Sequence, residues 1–164
     1  MPVLDDCERT HLYAIYSKLS IDIGAEVVNW ITSQTPAKIL VVDNDVDNGL
    51  LLKDFLQISG FDVDVYFSSE EASENFQSGW YNVAILDVLM DGIGGIELYK
   101  IISNIDNNIR VCFLTGYDIN ASDYPDLPEN KTKIVLKPVY LTQLLEIINT
   151  LLNDSYSETI TWRS

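Results

Sequence analysis

Apolar residues along this chain fall into short, nearly continuous runs that alternate with stretches of helical spacing. The runs lie at 38–43, 61–67, 82–87, 109–115 and 133–137, and include KILVVD, NVAILD, RVCFLT and KIVLK. Strands of a parallel sheet covered on both faces read this way, because neither face can be polar. Between the runs, apolar residues recur every three or four positions. Leu51, Leu52, Phe55 and Ile58 predict a helix over 46–59, with Gly60 as its stop. Ser68-Ser69-Glu70-Glu71 reads as a cap followed by first-turn acids, opening a helix over 69–78. Ile96, Tyr99, Ile101 and Ile102 mark a helix over 95–105, and Leu141, Leu144, Leu145, Ile148, Leu151 and Leu152 one over 140–152. This alternation predicts an α/β fold: a parallel sheet with helices on both faces and right-handed crossovers.

The pattern fails in one unit. Between Thr115 and Lys133 lies GYDINASDYPDLPENKT, whose helical spacing is poor and which carries Pro125 and Pro128. The fourth helix is therefore expected to be short, broken or replaced by a loop. Residues 1–36 precede the alternation. Leu12, Ile15 or Tyr16, Leu19, Ile23, Val27, Trp30 and Ile31 recur at helical spacing there. They predict an amphipathic helix, or two helices parted near Gly24, packed on the domain or on a second chain. The chain thus divides into an N-terminal helical extension (1–36), one domain (37–153) and a polar tail (154–164).

Charge and cysteine usage narrow the classes. With 164 residues and a formal net charge of -15, the chain is expected to avoid direct contact with nucleic acid and anionic membranes. No apolar run reaches membrane-spanning length, and MPVLDDCERT lacks the basic and apolar regions of a signal peptide. Cys7 and Cys112 form no CxxC pair, so a cytoplasmic location is expected, with Cys112 a buried free thiol in its strand. His11 and the tryptophans Trp80 and Trp162 belong to no motif.

Chemistry enters at the ends of the runs. KILVVDND ends in Asp43-Asn44-Asp45, NVAILD in Asp87, RVCFLT in Thr115 and KIVLKP in Lys137-Pro138. Functional groups of open α/β sheets gather at the carboxyl edge of the strands. Three acids, an amide, a hydroxyl and an amine at one edge suit a metal-plus-phosphoryl site. Each residue also has a plainer role: Asp43, Asn44 or Asp45 as helix caps, Asp87 and Lys137 as solvated charges, Thr115 as a strand residue.

The ordered set VVDND, LDVLMDGIGG, FLTG and KP resembles the receiver domain of two-component response regulators, stand-alone and CheY-like, from Lys38 to Leu152. The resemblance implies a flavodoxin-like, doubly wound, five-stranded parallel sheet of order 2-1-3-4-5. It implies that Asp87 accepts a phosphoryl group from a histidine kinase or phosphotransfer protein, with Mg2+ as cofactor. Asp43, Asn44, Asp87 and the backbone carbonyl of Leu89 would form the metal site, and Thr115 and Lys137 would contact the phosphoryl group. The family often has a cis Lys-Pro bond at this position.

The chain departs from the family pattern. Asn44 stands where a second acid is usual, which removes one negative charge from the metal site. Asp91 and Gly92 replace the frequent Pro and a variable residue. Ile134 stands where an aromatic three residues before the lysine normally reports phosphorylation. The expected reading is a signalling module rather than an enzyme, with output through an unknown protein partner. The N-terminal helix or the last helix face would serve for that contact or for a homodimer. The alternatives are a phosphorylation-independent pseudo-receiver and, further off, an Asp-nucleophile phosphatase, since Asp43-Asn44-Asp45 reads DxD.

Overall fold

Each apolar run forms a strand. In the computed structural model, which describes residues 36–118 and 123–153, these are β1 (Lys38–Val42), β2 (Asp62–Tyr66), β3 (Val83–Asp87), β4 (Arg110–Thr115) and β5 (Thr132–Leu136). All pair in parallel, in the order β2-β1-β3-β4-β5. The register sets Val42 beside Leu86, Asp87 beside Leu114 and Thr115 beside Leu136. The carboxyl ends of β1, β3, β4 and β5 therefore share one edge.

Four helices complete the described residues: α1 (Val46–Ile58), α2 (Ser69–Asn75), α3 (Gly95–Ile105) and α4 (Leu141–Asn153). Alternate residues of each strand serve opposite faces. Ile39, Val41, Val83, Ile85, Cys112 and Leu114 pack under α1 and α4, against Leu52, Leu56, Leu144, Ile148 and Leu151. Leu40, Val42, Ala84, Leu86, Val111 and Phe113 pack under α2 and α3, against Ala72, Phe76, Leu98, Tyr99 and Ile102. A helix of seven residues does not persist alone in water, so α2 is held by this burial. Each fully buried Leu, Ile or Phe contributes about 1.5–3 kcal/mol.

α2 stops at Asn75, three residues before its expected end. Phe76 takes an extended backbone conformation and is buried against Tyr81, their ring centroids 5.7 Å apart. Burying an aromatic ring outweighs one more turn of an exposed helix. The connection between β4 and β5 contains no α-helix among its described residues. Leu127 packs there on the layer containing Tyr99 and Phe113. Cys112 is a buried free thiol, its pKa pushed up to about 12 by burial. No helix among the described residues is long and apolar enough to cross a membrane. The expected N-terminal helix and the polar tail lie outside the described residues.

Candidate functional site

Asp43, the first residue beyond β1, is 1% exposed. Its Oδ1 accepts the backbone N–H of Asp45 at 2.9 Å. Asp45 is the N-cap of α1: its carboxylate accepts the N–H groups of Asp47 (3.0 Å) and Asn48 (3.1 Å). Of the two acids in the literal DxD, one is thus committed to capping. Asn44, between them, is exposed.

Asp87 ends β3 and is buried. Its Oδ1 accepts the N–H of Leu89 at 3.2 Å. Its Oδ2 lies 3.1 Å from Lys137 Nζ, which also stands 3.5 Å from Asp43 Oδ2. One ammonium therefore bridges two buried carboxylates. Lys137 is fixed from behind, since its N–H donates to the Thr115 carbonyl at 2.7 Å. The Lys137-Pro138 bond is cis, as the resemblance implied.

Thr115 reaches the same edge, but its hydroxyl is turned away. It donates to the Tyr117 carbonyl (3.0 Å) and accepts the Tyr117 N–H (3.1 Å). A hydroxyl has one proton to give, so in this state none is directed at Asp87. The structure thus brings Asp43, Asp87 and Lys137 together, with Thr115 and Leu89 beside them and Asn44 at the rim.

Burial is the largest influence on Asp43 and raises its pKa, and the charge of Asp87 adds to the rise. The Asp45 N–H and Lys137 pull it back only in part. For an acid whose folded pKa is raised, the ionised form costs stability at neutral pH, and that cost vanishes as pH falls through the raised value. Asp43→Asn is accordingly expected to raise the Tm at pH 7 by about 2–5 °C. Asn keeps the oxygen that receives the Asp45 N–H. The gain should shrink in melts at pH 4, and an equal or lower Tm at pH 7 would contradict this reading.

Asp43 Oδ2 is buried and has no hydrogen-bond partner. A buried carboxylate oxygen that has an ammonium at 3.5 Å but no hydrogen bond suits a cation. Among the described residues, no three His, Cys, Asp or Glu side chains converge on such a point. The available donors are two carboxylates and neutral carbonyl oxygens. Mg2+ tolerates this set, because it takes one or two protein carboxylates and keeps waters for the rest.

The loop after Asp87 is held from both sides. On one side Gly95 donates its N–H to the Val88 carbonyl at 3.1 Å, and a Cβ at Gly95 would fall on the Asp87 carbonyl oxygen. On the other side is Glu70, whose role the sequence did not disclose. Its carboxylate accepts the Ser68 hydroxyl at 2.9 Å and the Ile93 N–H at 3.4 Å. First-turn acids are common on any helix, and nothing in the sequence places this one beside residue 93. The cap itself follows the reading: Ser68 accepts the Glu71 N–H at 3.3 Å.

Sheet order, edge and acid–lysine grouping define a receiver-type α/β domain. Residues 39–149 match the response regulator receiver domain family, and the chain belongs to that family. It is 26% identical over 115 residues to the response regulator receiver protein CpdR of Brucella abortus, covering 70% of this chain and 96% of that protein. It is 28% identical over 136 residues to the transcriptional regulatory protein PrrA of Mycobacterium tuberculosis, covering 79% of this chain. The match spans only 58% of the PrrA protein. Among solved structures, a two-component response regulator from Clostridium difficile aligns with TM-score 0.64 and 27% identity, over 71% of this chain and 96% of that one. A CheY-like receiver domain from Methanospirillum hungatei JF-1 aligns with TM-score 0.65 over 76% of this chain and 99% of that one. At 23% identity, the latter supports the fold alone.

Proposed function

We propose that Asp87 accepts a phosphoryl group from the phosphohistidine of a kinase or phosphotransfer protein, and that the product alters a protein contact. The observation that carries this reading is the Lys137 ammonium at 3.1 Å from Asp87 and 3.5 Å from Asp43, whose Oδ2 is otherwise unpartnered. An Asp87 oxygen attacks phosphorus, the phosphorus–nitrogen bond breaks, and the electron pair leaves with the imidazole. Lys137 sets a positive charge against the phosphoryl oxygens, where stabilisation matters most. The Thr115 hydroxyl donates to one of those oxygens after turning from the Tyr117 carbonyl. Asp43, Asp87 and the Leu89 carbonyl would hold Mg2+, with Asn44 at the rim. Bound there, Mg2+ would neutralise charge on the transferring group.

Borohydride reduces an aspartyl phosphate to homoserine. Peptide mapping after incubation with a small-molecule phosphodonor, Mg2+ and borohydride should therefore find homoserine at position 87. Homoserine at 43 or 45 instead would sink the assignment. A second reading, a pseudo-receiver that binds partners without phosphorylation, is favoured by exposed Asn44 in place of an acid and by a β4–β5 connection with no α-helix among its described residues. It is distinguished by the absence of any homoserine in folded protein.

A further inference from the structure

We infer that Glu70 is a positioning residue: from the neighbouring helix it holds the loop after Asp87, and so sets the place of the Leu89 backbone. The inference rests on the proposed role of Leu89 as an oxygen donor to Mg2+. The near end of the loop is tied to its own strand and helix, since Leu89 N–H reaches Asp87 and Gly95 N–H reaches the Val88 carbonyl. The far end turns on Gly92, which has φ +78°, a conformation L side chains rarely adopt. The family frequently has a proline one position earlier, which would stiffen the chain. Here Asp91-Gly92 leaves it free, and glycine has the most conformational freedom to lose.

What fixes the far end is α2. Glu70 Oε1 accepts the Ile93 N–H at 3.4 Å and also occupies the space that a Cβ on residue 92 would need. Buried Ser69 reaches Met90 Sδ at 3.6 Å. The Ser68 hydroxyl at 2.9 Å orients the Glu70 carboxylate. The backbone N–H of Glu70 and then the Ser68 hydroxyl hold its pKa below the usual range, so it remains an acceptor at neutral pH. Gly92 and Glu70 therefore fit each other: only a residue without Cβ lets the carboxylate in.

The test is an NMR titration with Mg2+ on wild type, Glu70→Ala and Glu70→Gln, with hydrogen exchange read at the Ile93 amide. One hydrogen bond corresponds to about a three- to tenfold change in an equilibrium. Glu70→Ala should weaken Mg2+ binding by that factor and speed exchange at Ile93. Glu70→Gln keeps the acceptor oxygen and should stay within about twofold of wild type. With acetyl phosphate, Glu70→Ala should react slowly at low Mg2+ and recover at saturating Mg2+, which a merely destabilised fold would not do. Unchanged Mg2+ affinity in Glu70→Ala overturns the inference, as does a Glu70→Gln variant equally weak, since loss of charge would then suffice. If wild type binds no Mg2+ while Ile93 exchange still depends on Glu70, the metal reading has failed and the inference falls with it.

Discussion

Gly95→Ala is expected to destabilise the domain by about 3 kcal/mol or more. The added carbon would fall on the carbonyl oxygen of Asp87, with the Asp87 carbonyl carbon at 2.9 Å and Val88 Cα at 3.1 Å. These are backbone atoms and cannot swing aside as a side chain can. β3 is fixed between β1 and β4 by parallel pairing on both sides. The clash is relieved only by lifting the start of α3 off the sheet, which would uncover Leu98 and Ile102, both fully buried. Overpacking of this kind costs about 1–3 kcal/mol even where side chains can give way. Urea unfolding at pH 7 measures the effect. Gly116→Ala is the control, because a Cβ there meets nothing within 4 Å, and its stability should stay within about 0.5 kcal/mol of wild type. A loss below about 1 kcal/mol for Gly95→Ala would show that α3 is seated differently.

Lys137→Met is expected to abolish phosphorylation and to destabilise the folded protein in a pH-dependent way. The substitution keeps the length of the side chain and removes its charge. Asp43 and Asp87, both buried, then face each other without the ammonium that now lies 3.5 Å from Asp43 and 3.1 Å from Asp87. Removing one partner of a buried ion pair leaves a desolvated charge behind. Because the lysine side chain is 29% exposed, water absorbs part of that cost, and a loss of about 1–3 kcal/mol at pH 7 is expected. Lys137 is one of the influences that restrain the rise in the Asp43 pKa. Without it the rise is larger, so the destabilisation should be greatest at neutral pH and fade as pH falls through the carboxylate range. Urea titrations of both proteins at pH 7 and pH 4.5 measure the two parts. Lys137→Arg should restore most of the stability but little of the phosphorylation, because a planar guanidinium is not a compact point charge. A pH-independent loss, or normal phosphoryl uptake in Lys137→Met, would remove Lys137 from the site.

The sheet and its edge were legible because burial on both faces forces continuous apolar runs, and the residue after each run must lie where the strand stops. That logic placed Asp87, Thr115 and Lys137 on one edge from their neighbours alone. It could not divide Asp43 from Asp45, because a ligand carboxylate and a helix cap are the same chemical group two positions apart. Their surroundings differ in the fold: Asp45 accepts two helix N–H groups, while Asp43 keeps a buried oxygen without a hydrogen bond, which is why Asp43 is the one proposed as a ligand. The Thr115 hydroxyl illustrates a different limit. Its turn toward Tyr117 is a choice among rotamers that strand propensity does not encode. The end of α2 depended on Phe76 finding Tyr81, and the role of Glu70 on residue 93 coming near it. Both are long-range facts, set by how layers pack rather than by local spacing.

The central claim is that Asp87 is a Mg2+-dependent phosphoryl acceptor in a site that has Asn44 where the family usually has an acid. Intact-mass measurement after incubation with acetyl phosphate, with and without Mg2+, on wild type and Asp87→Asn tests it most directly. A single phosphoryl adduct that requires Mg2+ and vanishes in Asp87→Asn is the expected result. No adduct on folded wild-type protein at saturating Mg2+, or an adduct that persists in Asp87→Asn, would contradict it.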